Sequence, residues 1–216
     1  MGENFLRIDR VDLQLLKMPL KAPFTTSFGT LNIKEFYVIK VFSDDEVGIA
    51  ESVAMTEPIY NEETNVTIGH IMEDFLIPIL LNSEISHPTE VSGKFSHIRR
   101  NNMAKSALES AVWDLFSRKN KISLANALGG TRNEIEVGVS VGIQNSLEEL
   151  LDKIGQFLED GYKKIKVKIK PGWDVIPIRA IRERFGYDVP LMADANSAYT
   201  LNDLDLLKEL DQFNLI

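Results

Sequence analysis

The stretch KKIKVKIKPGWD, residues 163–174, alternates lysines with branched aliphatic residues before a Pro-Gly turn. Such alternation predicts a β-strand whose side chains point to opposite faces. One face carries four lysines: Lys164, Lys166, Lys168 and Lys170. The other face carries Ile165, Val167 and Ile169, which suit a buried core. Because lysine is rarely buried without a partner, the lysine face is either a solvated edge or the wall of a site.

The region around this strand repeats a strand–helix rhythm at intervals of about 25–30 residues. The other predicted strands are 134–142 and 189–194, and the predicted helices are 146–161, 175–186 and 201–213. Ser146 with Glu149 is typical of a capping box, and Asp174 can cap the next helix. The rhythm favours a parallel sheet, in either a doubly wound fold or a (β/α)₈ barrel. The glycine fingerprints of dinucleotide and P-loop sites are missing.

The first hundred residues have a different pattern. Residues 7–20 alternate imperfectly, and residues 35–54 predict two strands around a turn at 43–46. Apolar residues at three-and-four spacing then predict a helix over 101–120, and a shorter helical segment over 124–130 ends in a Gly pair. The chain therefore joins an α+β region to a β/α region.

Composition excludes several classes of protein. The 216 residues carry a formal net charge of −8, which does not favour a nucleic-acid or anionic-membrane partner. There is no cysteine, which excludes disulfides, thiolate catalysis and cysteine-ligated metals. The first residues lack the pattern of a signal peptide, and the longest apolar run, 75–81, is too short to span a bilayer. We expect a cytoplasmic protein.

The last residues, 214–216, look like the beginning of a fourth strand of the β/α region. A barrel needs eight strand–helix units, typically about 250 residues for the barrel alone. We therefore expect this chain to be a truncated piece of a longer protein. The alternative is a complete, small α/β domain.

Lys168 and Asp194 stand at the ends of successive predicted strands. Neighbouring parallel strands lie about 4.8 Å apart, so the two side chains are expected to meet at the carboxyl-terminal edge of the sheet. Partial burial and a neighbouring ammonium both disfavour the charged form of an amine, which is how a lysine becomes a general base near neutral pH. Asp194 suits Mg²⁺, although a strand-ending aspartate is also typical of turns and helix caps, and one carboxylate is not a metal site.

Five stretches together resemble the enolase superfamily, specifically its branch of o-succinylbenzoate synthases and N-acylamino acid racemases. They are MPLKAPFTTSFGT at 18–30, MAKSALESAVWD at 103–114, GVSVGI at 138–143, KVKIKPGWDV at 166–175 and ADANSAYT at 193–200. K-x-K alone is weak evidence, but K-x-K before PGWD with D-A-N one unit later is specific. The resemblance implies an α+β capping domain over residues 1–125. It also implies a partial TIM barrel over 126–216, with three βα units and the start of the fourth strand.

The resemblance also implies roles for the residues of the site. Lys168 would be the base on one face of the substrate, and Lys166 would assist it electrostatically and hold the substrate carboxylate. Asp194 would be the first of three acidic Mg²⁺ ligands, the metal stabilising an enediolate. The other two ligands and a lysine on the opposite face would lie beyond Ile216. We therefore predict that the chain alone is inactive and binds Mg²⁺ weakly.

Six further residues resemble substrate-binding positions of this family: Phe24, Phe28, Met55, Tyr60, Ser140 and Asn196. Simpler interpretations exist for most of them. The aromatic residues Phe24 and Phe28, and Met55, could be core residues, Ser140 a strand hydroxyl, and Asn196 a turn residue. The histidines, His70, His87 and His97, lack metal-ligand spacing and are interpreted as surface or helix residues.

The expected activity is Mg²⁺-dependent proton abstraction next to a carboxylate. The preferred reaction is the dehydration that forms o-succinylbenzoate in menaquinone biosynthesis, a lyase reaction. The alternative is racemisation of N-acylamino acids, such as N-succinylamino acids. A second alternative is a non-catalytic α/β module that acts by binding or assembly. The expected partner is a small carboxylate, without nucleic acid or membrane, and a homo-oligomer is the family expectation.

Overall fold

Two apolar cores organise the chain in the computed structural model, which describes residues 5–216. Each core belongs to one compact unit. The first unit runs to Pro19 and resumes over Ile33–Arg132, and the second comprises Leu20–Asn32 and Asn133–Ile216. The segment Leu20–Asn32 is thus grouped with the β/α region, far from it in sequence. The predicted domain boundary at residue 125 stays a prediction.

The first unit is built mainly from antiparallel strands and short helices. Its strands are β1 (Leu6–Arg7), most of β2 (Arg10–Thr26) and of β3 (Gly29–Ser43), β4 (Glu46–Glu51) and, later in the chain, β5 (Glu84–Ile85). The end of β2 and the start of β3 belong to the segment Leu20–Asn32 of the second unit. Its helices are α1 (Asn65–Ile71), α2 (Ile77–Leu81), α3 (Glu90–Lys94), α4 (Asn102–Lys119) and α5 (Leu124–Ala127), with a π-helical turn at Met72–Leu76. The sheet order is β2-β3-β4, β1 pairs with β5, and the predicted turn is confirmed by the pairing of Ser43 with Glu46.

The helix predicted over 101–120 is confirmed by α4, whose apolar stripe packs on β4 in the first core. Contact between the two is close because Gly48 has no side chain. A Cβ there would lie 2.1 Å from the carbonyl oxygen of Ala111. The amino terminus of α4 is capped by the buried carboxylate of Glu63, which accepts hydrogen bonds from the backbone N–H groups of Met103 and Ala104. These hydrogen bonds attach the segment around Glu63, just before α1, to the start of α4.

The second unit contains the predicted repeats of strand and helix. In chain order these are β6 (Gly138–Val141), α6 (Leu147–Glu159), β7 (Lys164–Lys168), α7 (Val175–Phe185), β8 (Leu191–Asp194) and α8 (Leu204–Lys208). The strands form a parallel sheet in the order β6-β7-β8. Ile165, Val167 and Leu191 are buried against α6 and α7, as the alternation of the lysine strand predicts. Three parallel strands with intervening helices are the start of a TIM-type barrel.

Several element boundaries differ from the prediction. The strand predicted over 134–142 is only Gly138–Val141, and the lysine strand ends at Lys168. Lys170 is not in the strand, because the chain turns at Gly172, with φ +81°, and Lys170 bridges to Trp173. Residues 201–213 form α8 between two 3₁₀ turns, Leu201–Asp203 and Glu209–Phe213, where one continuous helix was predicted. Apolar spacing marks the buried face of a segment, but not its ends or its pitch.

Two local predictions are also corrected. Ser146 Oγ accepts a hydrogen bond from Glu149 N, which is the first half of a capping box. The Glu149 carboxylate accepts from Asn145 N and not from the backbone of Ser146, so the second half does not form. Residues 214–216 form no strand, although Ile216 N donates to Leu191 O. Across residues 5–216, every helix is too short or too polar to cross a bilayer.

Candidate active site

Lys168 and Asp194 meet at the carboxyl-terminal ends of β7 and β8. The two residues are register partners on these parallel strands, so their side chains leave the sheet on the same face. Lys168 Nζ lies 2.8 Å from Asp194 Oδ2 and donates a second hydrogen bond, of 2.7 Å, to Asn196 Oδ1. Only 8% of the Lys168 side chain is exposed. The solvated-edge interpretation is therefore wrong for this lysine.

Lys166 brings a second ammonium to the same carboxylate. It lies two residues earlier on the same face of β7, and its Nζ is 3.1 Å from Asp194 Oδ2. Its side chain is 34% exposed, whereas Lys164, at the other end of the strand, is an exposed residue. The lysine row thus becomes progressively more buried towards the end of the strand where Asp194 lies.

Asp194 is held in its ionised form by these contacts. Burial alone raises its pKa, but hydrogen bonds from Lys168, from the Asn196 backbone and from Lys166 outweigh it and lower the pKa from 3.8 to about 2. Asp194 Oδ1 accepts the bond from Asn196 N at 3.0 Å, and Oδ2 receives both ammonium groups. At neutral pH Asp194 is therefore a carboxylate, and its Oδ2 atom contacts the amino groups of both lysines.

Asn196 occupies a tight turn after β8. Asn196 and Ser197 have φ of +46° and +62°, a left-handed conformation that asparagine tolerates better than most residues. The carbonyl of the preceding residue, Ala195, accepts a 2.8 Å hydrogen bond from Ser27 Oγ in the segment Leu20–Asn32. Asn196 is therefore a turn residue whose side chain also contacts the buried Lys168 amine. Its place in a turn is compatible with the predicted role in substrate binding, which stays a prediction.

Phe24 and Phe28 belong to the same segment as Ser27. Both are half-buried, and neither is part of an apolar core, which contradicts the interpretation as core residues. The segment is tied to the end of β6, because Ile143 N donates to Thr25 O at 2.9 Å. Close approach is easier since Gly142 has no side chain, because a Cβ there would lie 3.0 Å from the carbonyl oxygen of Thr25.

Ser140 is the β6 partner of Lys166 and is exposed. It lines a cavity of about 300 Å³ together with Gly138, Val139, Lys164, Lys166 and Met192. The lining includes Lys164 and Lys166 but neither Lys168 nor Asp194. A hydroxyl in this position can reach a bound molecule, which a core position could not.

Met55 and Tyr60 lie in the first unit and are described there alone. Met55 is half-buried outside the apolar core, and its carbonyl accepts a hydrogen bond from Asn65 N, which closes the loop that contains Tyr60. Tyr60 is 56% exposed. Their assignment as substrate-binding residues stays a prediction.

The described residues do not complete a metal site. Among residues 5–216, no group of three or more His, Asp or Glu side chains is placed to hold an ion. Asp194 is one suitable carboxylate, whereas Mg²⁺ demands near-octahedral oxygen coordination. In the part of the chain that the structure describes, Asp194 is the one residue of the predicted ligand set, and its role as a ligand stays a prediction.

Sequence reasoning missed the contact between Asp174 and Tyr199. Asp174 Oδ1 caps α7 through Val175 N, as predicted, but Oδ2 also accepts a 2.9 Å hydrogen bond from Tyr199 Oη. The two residues are 25 positions apart, almost the 26 that separate Lys168 from Asp194. This similar spacing of about one βα unit was the available signal, because Asp174 and Tyr199 lie in the loops that follow β7 and β8.

Known proteins resemble this chain over nearly its whole length. Residues 10–129 match the family model of the mandelate racemase / muconate lactonizing enzyme N-terminal domain, and residues 149–216 match the model called enolase C-terminal domain-like. An o-succinylbenzoate synthase from Geobacillus kaustophilus is 54% identical over 98% of this chain and 56% of its own length. An N-succinylamino acid racemase from Amycolatopsis sp is 43% identical over 98% of this chain and 57% of its own length.

A solved structure of a related protein shows that the similarity extends to the fold. A member of the enolase superfamily from Listeria innocua superposes with a TM-score of 0.90 at 42% identity. The match covers 97% of this chain and 56% of that protein. The chain thus spans a little more than half the length of the relatives it matches.

Proposed function

Because this chain belongs to the mandelate racemase / muconate lactonizing enzyme family of the enolase superfamily, we propose that the protein removes a proton from the carbon next to a substrate carboxylate. The observation that carries this proposal is the buried Lys168 amine beside Asp194 at the strand ends. Parallel β/α folds place their chemistry at this edge. Superfamily sites pair a lysine or histidine base with Mg²⁺ that stabilises the enediolate.

Lys168 is the proposed base. In the reaction the neutral amine form of Lys168 accepts the proton. The C–H bond breaks, an N–H bond forms at Nζ to give an ammonium, and the C–H electron pair moves into the carboxylate to give an enediolate. Lys166 Nζ lies on the same side of the sheet, 3.1 Å from Asp194 Oδ2, and its positive charge favours the additional negative charge of the enediolate. Few waters compete at Lys168 because its side chain is buried.

Mg²⁺ is proposed as a cofactor of the whole protein, with Asp194 as one ligand. The described residues provide only that carboxylate, so we assign no catalytic step to a metal here. The remaining ligands have to come from outside the described residues. Phe24, Phe28, Ser140 and Asn196 are proposed to contact the substrate, because they lie in the unit that holds Lys168. Met55 and Tyr60 are proposed from the resemblance alone.

The preferred reaction is the dehydration of a cyclohexadiene carboxylate to o-succinylbenzoate, the reaction named for the Geobacillus relative at 54% identity. A syn elimination removes the proton and the hydroxyl group from the same face, so one base is sufficient. The C–H and C–O bonds break, a C=C bond forms and water leaves. Lys168 on one face of the site meets this requirement.

The second candidate is racemisation of N-succinylamino acids, which is supported by the 43% identity to the Amycolatopsis racemase. Racemisation requires a base on each face of the α-carbon. Lys168 provides one, and the other would have to lie elsewhere in the protein. In both cases the proposed partner is a small carboxylate, while oligomeric state and the predicted cytoplasmic location stay predictions.

Assays of the product of the complete reading frame that contains these residues test the proposal. The protein is given the cyclohexadiene carboxylate and, separately, N-succinylamino acids, each with Mg²⁺. Formation of o-succinylbenzoate supports the first reaction, and loss of optical rotation supports the second. A folded protein that turns over neither substrate would refute the proposed function.

A further inference from the structure

The buried side chain of Asp174 connects the loop after β7 with the loop after β8 through hydrogen bonds. The residue is 7% exposed and lies six positions after Lys168, at the start of α7. Its carboxylate accepts hydrogen bonds from Val175 N at 2.7 Å, from Gly172 N at 3.3 Å and from Tyr199 Oη at 2.9 Å. The first two bonds shape its own loop. The third joins that loop to the one that follows β8.

The Tyr199 hydroxyl stays protonated and can therefore donate this hydrogen bond throughout the physiological pH range. Burial, and then the hydrogen bond and charge of Asp174, raise the pKa of Tyr199, so the hydroxyl keeps its proton. Its ring packs against the second apolar core. A buried carboxylate with a protonated phenol makes a charge-assisted bond, which is stronger than a neutral one.

The loop held by Tyr199 contains one of the two hydrogen-bond acceptors of the Lys168 amine. Asn196 lies three residues before Tyr199, in a left-handed turn closed by the bond from Ala198 N to Ala195 O. Asn196 Oδ1 accepts the 2.7 Å bond from Lys168 Nζ. A continuous path of contacts therefore leads from Asp174 through Tyr199 and the turn to Lys168.

We propose that Asp174 and Tyr199 are positioning residues that hold Asn196, and through it the Lys168 amine, in place. Neither residue touches the amine itself. A turn with two consecutive left-handed residues is conformationally costly and persists only where its surroundings hold it. The bond from Ser27 to Ala195 supports the beginning of this turn, and the Asp174–Tyr199 bond supports its end.

The test is the chemical reactivity of Lys168 in the product of the complete reading frame carrying Tyr199→Phe, which removes one hydroxyl and keeps the ring. Lysines are reductively methylated with formaldehyde and borohydride, and the rate at each site is followed by mass spectrometry. Lys119, paired with Asp44 in the other unit, is the internal reference. Tyr162→Phe is the matched control, because Tyr162 packs edge-on against Phe157 in the same unit.

Loss of the bond is expected to raise the methylation rate of Lys168 relative to Lys119 by about tenfold, as expected for one hydrogen bond to a charged acceptor. Tyr162→Phe is expected to leave the ratio unchanged. An unchanged ratio in Tyr199→Phe would overturn the inference. Equal acceleration at both lysines would also overturn it, because it would indicate general destabilisation. Asp174→Asn weakens the same bond and alters those from Gly172 N and Val175 N, so adding Tyr199→Phe to Asp174→Asn is expected to raise the rate little further.

The inference rests on the proposed function only for the importance of the Lys168 amine. Methylation rates require no turnover, so the two ideas fail separately. A protein inactive on both substrates would refute the proposed function and leave the labelling result standing. An active protein whose Lys168 reactivity is insensitive to Tyr199 would refute the inference alone.

Discussion

Lys168 Nζ lies 2.8 Å from Asp194 Oδ2 because the two residues are direct register partners on β7 and β8. The two residues are 26 positions apart, and the segment between them contains one helix, α7, whose connections return the chain to the neighbouring position in the sheet. Lys166, on the same face of β7, reaches the same oxygen. One carboxylate thus organises two lysines.

Substitution of Lys168 by alanine should abolish most of the activity of the complete protein. A general base contributes typically about 10²–10⁴-fold to the rate, so kcat should fall by that factor. The matched control is Lys170→Ala, which removes the next lysine of the row, an exposed side chain beyond the end of the strand. Steady-state kinetics with both substrates provide the measurement. A Lys168→Ala enzyme within about tenfold of the unmodified enzyme would be incompatible with its role as a base.

Asp194 should make stability depend on pH in the acid range. Its pKa is lowered from 3.8 in the unfolded chain to about 2 in the folded protein, so the ionised carboxylate stabilises the fold at every pH above about 4. This contribution, about 2 kcal/mol at about 1.36 kcal/mol per pKa unit, is lost as the pH falls from about 4 towards 2.

Urea unfolding of Asp194→Asn tests this dependence. The variant should be less stable than the unmodified protein near neutral pH, and the difference in free energy of unfolding should close below about pH 4. Asp205→Asn is the control, since Asp205 is exposed on α8 and pairs only with Lys208. A difference that stays constant across the acid range would show that Asp194 is not held by the two lysines.

Periodicity explains why part of this site could be predicted from the sequence. Alternation along β7 and the one-unit spacing to Asp194 require only local geometry, and both are confirmed. The ends of elements were predicted less well, as at Lys170 and in residues 201–213, because turns and 3₁₀ pitch depend on tertiary hydrogen bonds. Contacts such as Ser27 to Ala195, 168 residues apart, leave no periodic trace in the sequence.

Glu63 should be essential to the stability of the first unit. Its buried carboxylate accepts bonds from Met103 N and Ala104 N at the start of α4, where Asn101 makes no side-chain cap. Glu63→Gln keeps one acceptor oxygen but removes the charge that favours a helix amino terminus, and should cost about 1–3 kcal/mol. The control is the exposed neighbour Glu62→Gln, 3.7 Å from Arg100. Equal urea midpoints for the two variants would contradict this prediction.

The 216-residue chain by itself should bind Mg²⁺ weakly and show neither activity. Asp194 is the carboxylate available at the strand ends, and its oxygens already accept bonds from Lys166, Lys168 and Asn196 N. A cation would have to displace these bonds and would gain only one carboxylate ligand. Isothermal titration should therefore show no binding in the micromolar range.

Titration of Asp194→Asn with Mg²⁺ is the matched control for this measurement. Weak, non-specific binding should be the same in both chains, because other surface carboxylates are unchanged. Micromolar binding that disappears in Asp194→Asn would show that the described residues hold the metal without further ligands. That result would contradict the incomplete site found among residues 5–216.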